Sequence, residues 1–360
     1  MNTFHCATKI LSGAGAAAVL KDMGARRLLM VTDPYFHKNG TAQRLCDLSG
    51  AEKTEIFADI TPDPSVELVA KGTAKMRALQ PDVLVALGGG SAMDCAKAML
   101  YFSGCDARLV AIPTTSGSGS EVTDFAVLTH GNVKYPLVEE KLRPHTAILD
   151  SELLVSLPRS LIADTGFDVL THALEAYTAN AATAFTDALA ADAFCTAYGL
   201  LPASYGGDLR ARLPIHMAST MAGIAFTRAG LGLCHALAHS LGGMFHVPHG
   251  RLNAILLPAV IGCNAHAAGD RYALLAAKAG IGGSARTLAV RSLQNSLIRL
   301  RRELELPATL AQAGIDPQTL RQNMPKIVES TLADPCCASN PMKVEDYMVR
   351  GVLEEVTGRG

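Results

Sequence analysis

Along the first 150 residues, short apolar runs alternate with longer amphipathic stretches. Residues 27–32 (RLLMVT), 82–87 (DVLVAL) and 109–112 (LVAI) are compact apolar runs, each closed by a turn residue: Asp33-Pro34, Gly88-Gly89-Gly90 and Pro113. Runs of this length and content predict buried parallel strands. Between them, residues 16–23, 66–79 and 92–102 carry apolar positions at helical spacing. Strand, helix, strand in this order predicts a mostly parallel sheet with helices on both faces. Residues 121–138 alternate more strictly around His130-Gly131-Asn132, which predicts an antiparallel hairpin.

The pattern changes after Leu157-Pro158. From Asp164 onward no strand pattern recurs, and Ala- and Leu-rich stretches are expected to break at Pro202, Pro214, Pro248 and Pro258. Residues 287–304 repeat apolar positions at helical spacing beside an Arg-rich side. The expected organisation is an α/β N-terminal dinucleotide-binding domain over residues 1–158. An all-α metal-binding and substrate domain follows over residues 159–360.

Composition narrows the classes. Apolar residues make up 49 % of 360 and mean hydropathy is +0.21, incompatible with a disordered chain. Net charge is −1 and pI about 6.8, so no nucleic-acid or anionic-membrane footprint is expected. Two stretches without Lys, Arg, Asp or Glu, 229–250 and 252–269, contain Pro, Asn and His and read as buried segments of a folded domain. The N-terminal MNTFHCATK carries no secretory signal pattern. Nine cysteines without a C-x-x-C pair predict reduced thiols in a cytoplasmic protein.

The candidate chemistry lies in two places. Gly88-Gly89-Gly90-Ser91 falls where a strand ends and a helix begins, with Asp94 one turn on. Backbone N–H groups there can approach a pyrophosphate, and Ser91 is a candidate helix cap. Pro113-Thr114-Thr115-Ser116-Gly117-Ser118-Gly119-Ser120 follows the next strand, with hydroxyls suited to ribose, phosphate or amide. Two such loops at the carboxyl ends of neighbouring parallel strands predict a nucleotide crevice. Asp33 ends the first strand; its carboxylate would repel a 2′-phosphate and favour NAD over NADP, and Asp-Pro is equally a simple turn.

The second place is rich in histidine. Four of the 11 His fall between residues 235 and 249: His235, His239, His246 and His249. His235 and His239 are spaced i, i+4, as are Asp168 and His172 upstream, so each pair shares a helix face. One carboxylate with three imidazoles from this group is a plausible divalent-metal set for Fe(II), Zn or Mn. His239 or His246 is then left for an outer role. A single His would more simply be a hydrogen-bonded core residue.

These residues resemble the iron-containing (group III) alcohol dehydrogenases over essentially the whole chain, above all the branch tied to propanediol-utilisation bacterial microcompartments. The segments that carry the resemblance are ITPDPSVE (60–67), GGGSAMD (88–94), IPTTSGSGSEVT (112–123), KYPL (134–137), TGFDVLTHALEAY (165–177), GLGLCHALAHSLGGMFHVPHG (230–250) and SNP (339–341). The resemblance implies the dehydroquinate synthase-like, iron alcohol dehydrogenase fold. It also implies Asp168, His172, His235 and His249 as metal ligands and His239 as a residue near the substrate. Asp33, Asp63, Gly89, Gly90, Ser91, Asp94, Thr114, Thr115, Ser118 and Lys134 match cofactor-contacting positions. Ser118 stands for the usual Thr, Phe167 for the usual Met, and Ser151 for the usual Pro.

The implied function is metal-dependent, NAD(H)-linked interconversion of short-chain primary alcohols and aldehydes, with Fe(II), or Zn, facing the nicotinamide ring. His239 would relay a proton, and reduction of propanal or acetaldehyde would recycle NAD+ for an aldehyde dehydrogenase partner. The resemblance further implies a homodimer in the cytoplasm, with a microcompartment interior and a shell partner as the setting that this branch suggests. The rival classes are a sugar-phosphate cyclase of the dehydroquinate-synthase type and a non-catalytic structural partner. The absence of Lys and Arg from 230–250 argues against the cyclase.

Overall fold

A computed structural model describes residues 4–131, 133–283 and 285–358, without the side chains of 133 and 134. The chain divides into two compact units, His5–Leu157 and, with Phe4, the residues from Pro158 onward.

The first unit contains β1 (Lys9–Gly13), β2 (Arg27–Thr32), α1 (Pro34–Lys38), α2 (Thr41–Leu48), β3 (Lys53–Phe57) and α3 (Val66–Leu79). It continues with β4 (Val83–Gly88), α4 (Gly90–Ser103), β5 (Arg108–Pro113), β6 (Phe125–His130), β7 (Val133–Val138) and β8 (Thr146–Asp150). Six strands form one sheet in the order β1-β8-β5-β4-β2-β3, every pairing parallel; β6 and β7 form a separate antiparallel pair. Alternation along the strands builds two cores. Leu29, Val31, Leu84 and Ala86 pack with Met76, Met93 and Met99 of α3 and α4. Leu28, Met30, Val83 and Val85 pack on the other face with Phe36, Ala42 and Leu45 of α1 and α2.

The order of connections positions the ligand-binding edge. From β2 the chain crosses to β3 on one side, and from β3 it returns past β2 to β4. The carboxyl ends of β2 and β4 therefore flank the point where the winding direction reverses, where open parallel sheets bind ligands.

The structure departs from the sequence reading in several elements. β1, β3 and β8 join the sheet although no apolar run announced them. β1 (KILSG) and β3 (KTEIF) are edge strands, so their residues stay partly exposed and keep charges. The helix expected over 16–23 is a 3-10 turn, Ala16–Asp22, held by Asp150, whose carboxylate accepts from the Gly15 and Ala17 N–H groups at 3.0 and 2.9 Å. Ser91 is not a cap: Gly89 occupies that position and Ser91 lies inside the first turn of α4.

The second unit is helical among the described residues: α5 (Arg159–Thr178), α6 (Ala184–Tyr205), α7 (Arg212–Ala229), α8 (Leu233–Phe245), α9 (His249–Lys278), α10 (Arg286–Glu303), α11 (Pro317–Ala333) and α12 (Asp346–Thr357). Of the four prolines expected to break helices, only Pro248 does so, as the cap before α9. Pro214 sits in the first turn of α7, where its missing N–H costs nothing. Pro202 and Pro258 lie inside α6 and α9. Pro258 frees the Ala254 carbonyl four residues back, and Arg301 Nη1 donates to it at 3.3 Å, so α9 continues. By length and composition α9 is long and apolar enough to cross a membrane, but 72 % of its apolar window is buried inside the protein, as in a core helix. The described cysteines are all free thiols.

Candidate functional site

Three helices bring the metal candidates together. Asp168 and His172 project from successive turns of α5, His235 from the first turn of α8, and His249 opens α9. Oδ2 of Asp168 is 4.0 Å from His172 Nδ1, and its Oδ1 is 3.7 Å from His235 Nε2 and 3.6 Å from His249 Nε2. Donor atoms of Asp168, His172 and His235 all lie within 4.8 Å of one another. The His172 and His235 rings stack with centroids 4.4 Å apart, and the His235 and His249 rings are 5.2 Å apart.

The crossing of α9 over α5 depends on Gly250. A Cβ there would run into the Asp164 carbonyl oxygen, so only glycine lets His249 reach Asp168. Arg251, next in the chain, holds Asp164 with both Nε and Nη2, at 3.1 and 2.9 Å.

Glu175, absent from the sequence reading, organises the centre from behind. Its Oε2 is 2.6 Å from His235 Nδ1, and the carboxylate also accepts from the Gly232 and Cys234 N–H groups at 3.0 and 2.7 Å; with Asn340 Oδ1, which accepts from the Leu233 N–H at 3.2 Å, it satisfies the start of α8. It lies three residues past His172 and seven past Asp168, on the same face of α5, which was its one sequence signal. Asn253 Nδ2 likewise fixes Asp168 Oδ1 at 2.8 Å, one turn after His249.

The donor set fits a divalent cation. Burial alone would raise the Asp168 carboxyl, yet the imidazoles of His172, His249 and His235 outweigh it and hold it well below the usual carboxylate range. Burial would lower His235, but Asp168 and Glu175 lift it to about 9. The cluster therefore draws positive charge onto His235. A cation at Nε2 meets the same demand while Glu175 keeps Nδ1 protonated and the ring oriented. One carboxylate and three imidazoles match Fe(II) or Zn(II).

His239 lies one turn beyond His235. Its ring stacks on that of His249 with centroids 5.2 Å apart, and its Nδ1 is 2.9 Å from Asp334 Oδ2. Asp334 is also new to the account. Burial would raise it, but the His239 hydrogen bond lowers it to about 2. His246 ends α8 in the left-handed conformation, φ 56°, with its side chain exposed, and serves as a helix stop.

The cofactor candidates gather at the carboxyl ends of β2, β4 and β5. Gly88 has φ 153°, and a Cβ there would meet Ala92 Cβ at 2.7 Å and Asp33 Oδ2 at 3.7 Å, so Asp33 stands beside the glycine turn. Asp33 caps α1 through Oδ1, accepting from the Tyr35 and Phe36 N–H groups at 2.9 and 3.1 Å. A Cβ on Gly89 would lie 3.2 Å from Thr115 Oγ1, and one on Gly90 would lie 3.3 Å from Ser118. The two loops are thus packed together, with Ser91 partly exposed beside them and buried Thr114 bonded through its N–H to the Gly88 carbonyl.

Asp94 is otherwise engaged. Its Oδ1 accepts from Ser120 Oγ at 2.7 Å and its Oδ2 from the Val127 N–H at 3.0 Å. Lys97, one turn on and entirely buried, completes this clasp: its Nζ lies 2.8 to 3.1 Å from Ser120 Oγ, Thr123 O, Thr123 Oγ1 and Phe125 O. Asp94 and Lys97 thereby fasten the Thr114–Ser120 loop to α4. Asp63 lies in the exposed connection after β3 with φ 55°. The Lys134 side chain lies outside the described residues.

Two family models match the chain: "Iron-containing alcohol dehydrogenase" over residues 7–151 and "Fe-containing alcohol dehydrogenase family, C-terminal" over residues 162–357. The chain is 41 % identical to the 1-propanol dehydrogenase PduQ of Citrobacter freundii, covering 99 % of this chain and all of that protein. It is 36 % identical to an NADPH-dependent butanol dehydrogenase of Clostridium saccharobutylicum, covering 98 % and 97 %. Among solved structures it is similar to the sulfoacetaldehyde reductase of Bifidobacterium kashiwanohense in complex with NAD+, at 28 % identity and TM-score 0.91 over the full length of both chains. The chain belongs to the iron-containing alcohol dehydrogenase family.

Proposed function

We propose that this protein interconverts short-chain primary alcohols and aldehydes with NAD(H), using divalent iron held by Asp168, His172, His235 and His249. The observation that carries the proposal is one buried carboxylate within 4.0 Å of imidazole nitrogens from three histidines, in a family defined by iron and alcohol dehydrogenation. Zn(II) suits the same four side chains.

When bound, the metal supplies a Lewis acid for the alcohol or aldehyde oxygen, and NAD(H) supplies the hydride acceptor or donor. The protein's part is position and proton traffic. Glu175 fixes the His235 tautomer and Asn253 fixes the Asp168 carboxylate, so both keep their orientation as charge develops. The Asp334 carboxylate accepts a hydrogen bond from Nδ1–H of His239, leaving Nε2 as the atom that gives up or receives the substrate proton.

In the first unit, the N–H groups at Gly89, Gly90 and Ser91 serve the pyrophosphate, and Thr114, Thr115 and Ser118 serve the ribose and amide. Asp33 offers its Oδ2 to the ribose hydroxyls and repels a 2′-phosphate. Asp94 acts by holding the hydroxyl loop. Asp63 and Lys134 complete the cofactor set. Residues 1–158 serve as the cofactor domain and 159–360 as the metal and substrate domain. The protein works as a homodimer in the cytoplasm, reducing aldehyde to recycle NAD+ for an aldehyde dehydrogenase, inside a microcompartment where the cell builds one.

Protein purified without oxygen and loaded with Fe(II) is expected to oxidise NADH when given propanal or acetaldehyde, with turnover falling along a series of longer or charged aldehydes. No turnover on any short aldehyde with iron or zinc would overturn the proposal. Phosphate release from a phosphorylated polyol without net NADH consumption would point to the cyclase class instead.

A further inference from the structure

Helix α5 begins at Arg159 behind Pro158, with no side chain capping its first turn. That end of α5 borders a cavity of about 850 Å³ whose wall carries four arginines, Arg159, Arg251, Arg301 and Arg302, against one carboxylate, Glu305. Glu305 is occupied by the Tyr205 hydroxyl at 2.8 Å, and Arg159 lies over the Tyr205 ring at 4.2 Å. Arg251 is paired with Asp164. The remaining two charges are unbalanced: neither Arg301 nor Arg302 has a carboxylate partner among the described residues.

Arg301 is the decisive group. Only 9 % of it is exposed, and its bonds to protein are two long ones from Nη1, to the Ala254 and Ile255 carbonyls at 3.3 and 3.4 Å. Those bonds explain how α9 passes Pro258. They do not explain a buried cation without a counter-charge, which is costly to keep. Nε and Nη2 make no bond to any described residue, and Arg301 is one of the residues lining the cavity.

We propose that this cavity binds a small, multiply charged phosphate compound. Guanidinium forks take phosphate oxygens two at a time. The open helix start adds N–H groups and a favourable dipole for an anion. The volume falls in the range of about 300–1,000 Å³ typical of small-molecule sites. A phosphate chain carries several negative charges on a compact body and so answers both unbalanced arginines at once; a single carboxylate does not. None of the four metal candidates or the glycine-turn residues lines this cavity, so the proposal stands apart from the dehydrogenase reading.

The test uses the metal-loaded protein holding saturating NADH, so that the nucleotide turns are already filled. Inorganic tripolyphosphate, titrated by calorimetry, is expected to bind once per chain, with citrate at least tenfold weaker. The double variant Arg159→Gln, Arg302→Gln replaces two exposed side chains. It should weaken tripolyphosphate at least tenfold while circular dichroism, metal content and NADH affinity stay at wild-type values. No tripolyphosphate binding by the wild type, equal binding by the double variant, or citrate binding as tightly would each overturn the proposal.

Discussion

Glu175 and His235 meet across two helices with 2.6 Å between Oε2 and Nδ1, and the same carboxylate accepts from the Gly232 and Cys234 N–H groups at the start of α8. One side chain thus sets both the start of that helix and the tautomer of a metal candidate. Glu175→Gln keeps the size and loses the charge. Outer partners of this kind are worth about 10–100-fold in metal affinity. Chelator competition with Fe(II) or Zn(II) should show a loss of that order; affinity equal to wild type would reject the role.

Gly250 is the point where α9 passes the backbone of α5. Gly250→Ala would push a methyl group into the Asp164 carbonyl, and neither helix backbone can yield cheaply. A loss of about 1–3 kcal/mol is expected, the scale of overpacking in a tight core, together with reduced metal content because His249 moves with the start of α9. Thermal unfolding of the metal-free protein and metal analysis of the loaded protein check the two effects separately. Wild-type values for both would contradict the crossing described here.

Asp33 serves two ends, capping α1 with Oδ1 and standing beside Gly88 with Oδ2. Asp33→Ser keeps a capping oxygen and removes the charge, so stability should change little. The ratio of kcat/KM for NADPH to that for NADH should rise at least about tenfold, equivalent to about 1.4 kcal/mol. Steady-state kinetics with both cofactors decides it, and an unchanged ratio would remove Asp33 from cofactor choice.

Lys97 carries a pH signature. Burial lowers it from 10.5 to about 8, against the opposing pull of Asp94, Glu121 and Asp124. Below pH 8 both folded and unfolded chains hold the proton, and the full cost of the buried charge is present. Between pH 8 and 10.5 the folded chain releases the proton first, so stability rises with pH, by up to about 3 kcal/mol. Lys97→Met lacks this rise and, having lost the clasp on Ser120 and Thr123, should bind NADH more weakly. Urea unfolding of both proteins across this range checks the first point and NADH titration the second. Parallel pH profiles would show that Lys97 does not titrate there.

What could be read from the chain follows from how locally each feature is encoded. β2, β4 and β5 are buried on both faces, so their apolar runs are unbroken and visible. β1 and β3 sit at the edges, keep Lys and Glu, and look like loops. The Asp168/His172 and His235/His239 pairs stood out because spacing of four on a helix is a local pattern. Glu175, Asn253 and Asp334 act by touching another functional side chain. Only Glu175 and Asn253 left a trace, each a helical step from a metal candidate. Lys97 carries no local sequence signal, because its acceptors come from a loop more than twenty residues away. Pro258 misled because its repair, the Arg301 guanidinium, arrives from α10.

The proposed function requires Asp168, His172, His235 and His249 to hold one catalytic ion. Metal analysis of His235→Ala, purified without oxygen beside the wild type and assayed with NADH and propanal, tests it most directly. The wild type should carry close to one iron or zinc per chain and turn over; the variant should keep its helical circular dichroism, carry less than a tenth of the metal and show no turnover. A variant that retains stoichiometric metal and wild-type turnover would contradict the account.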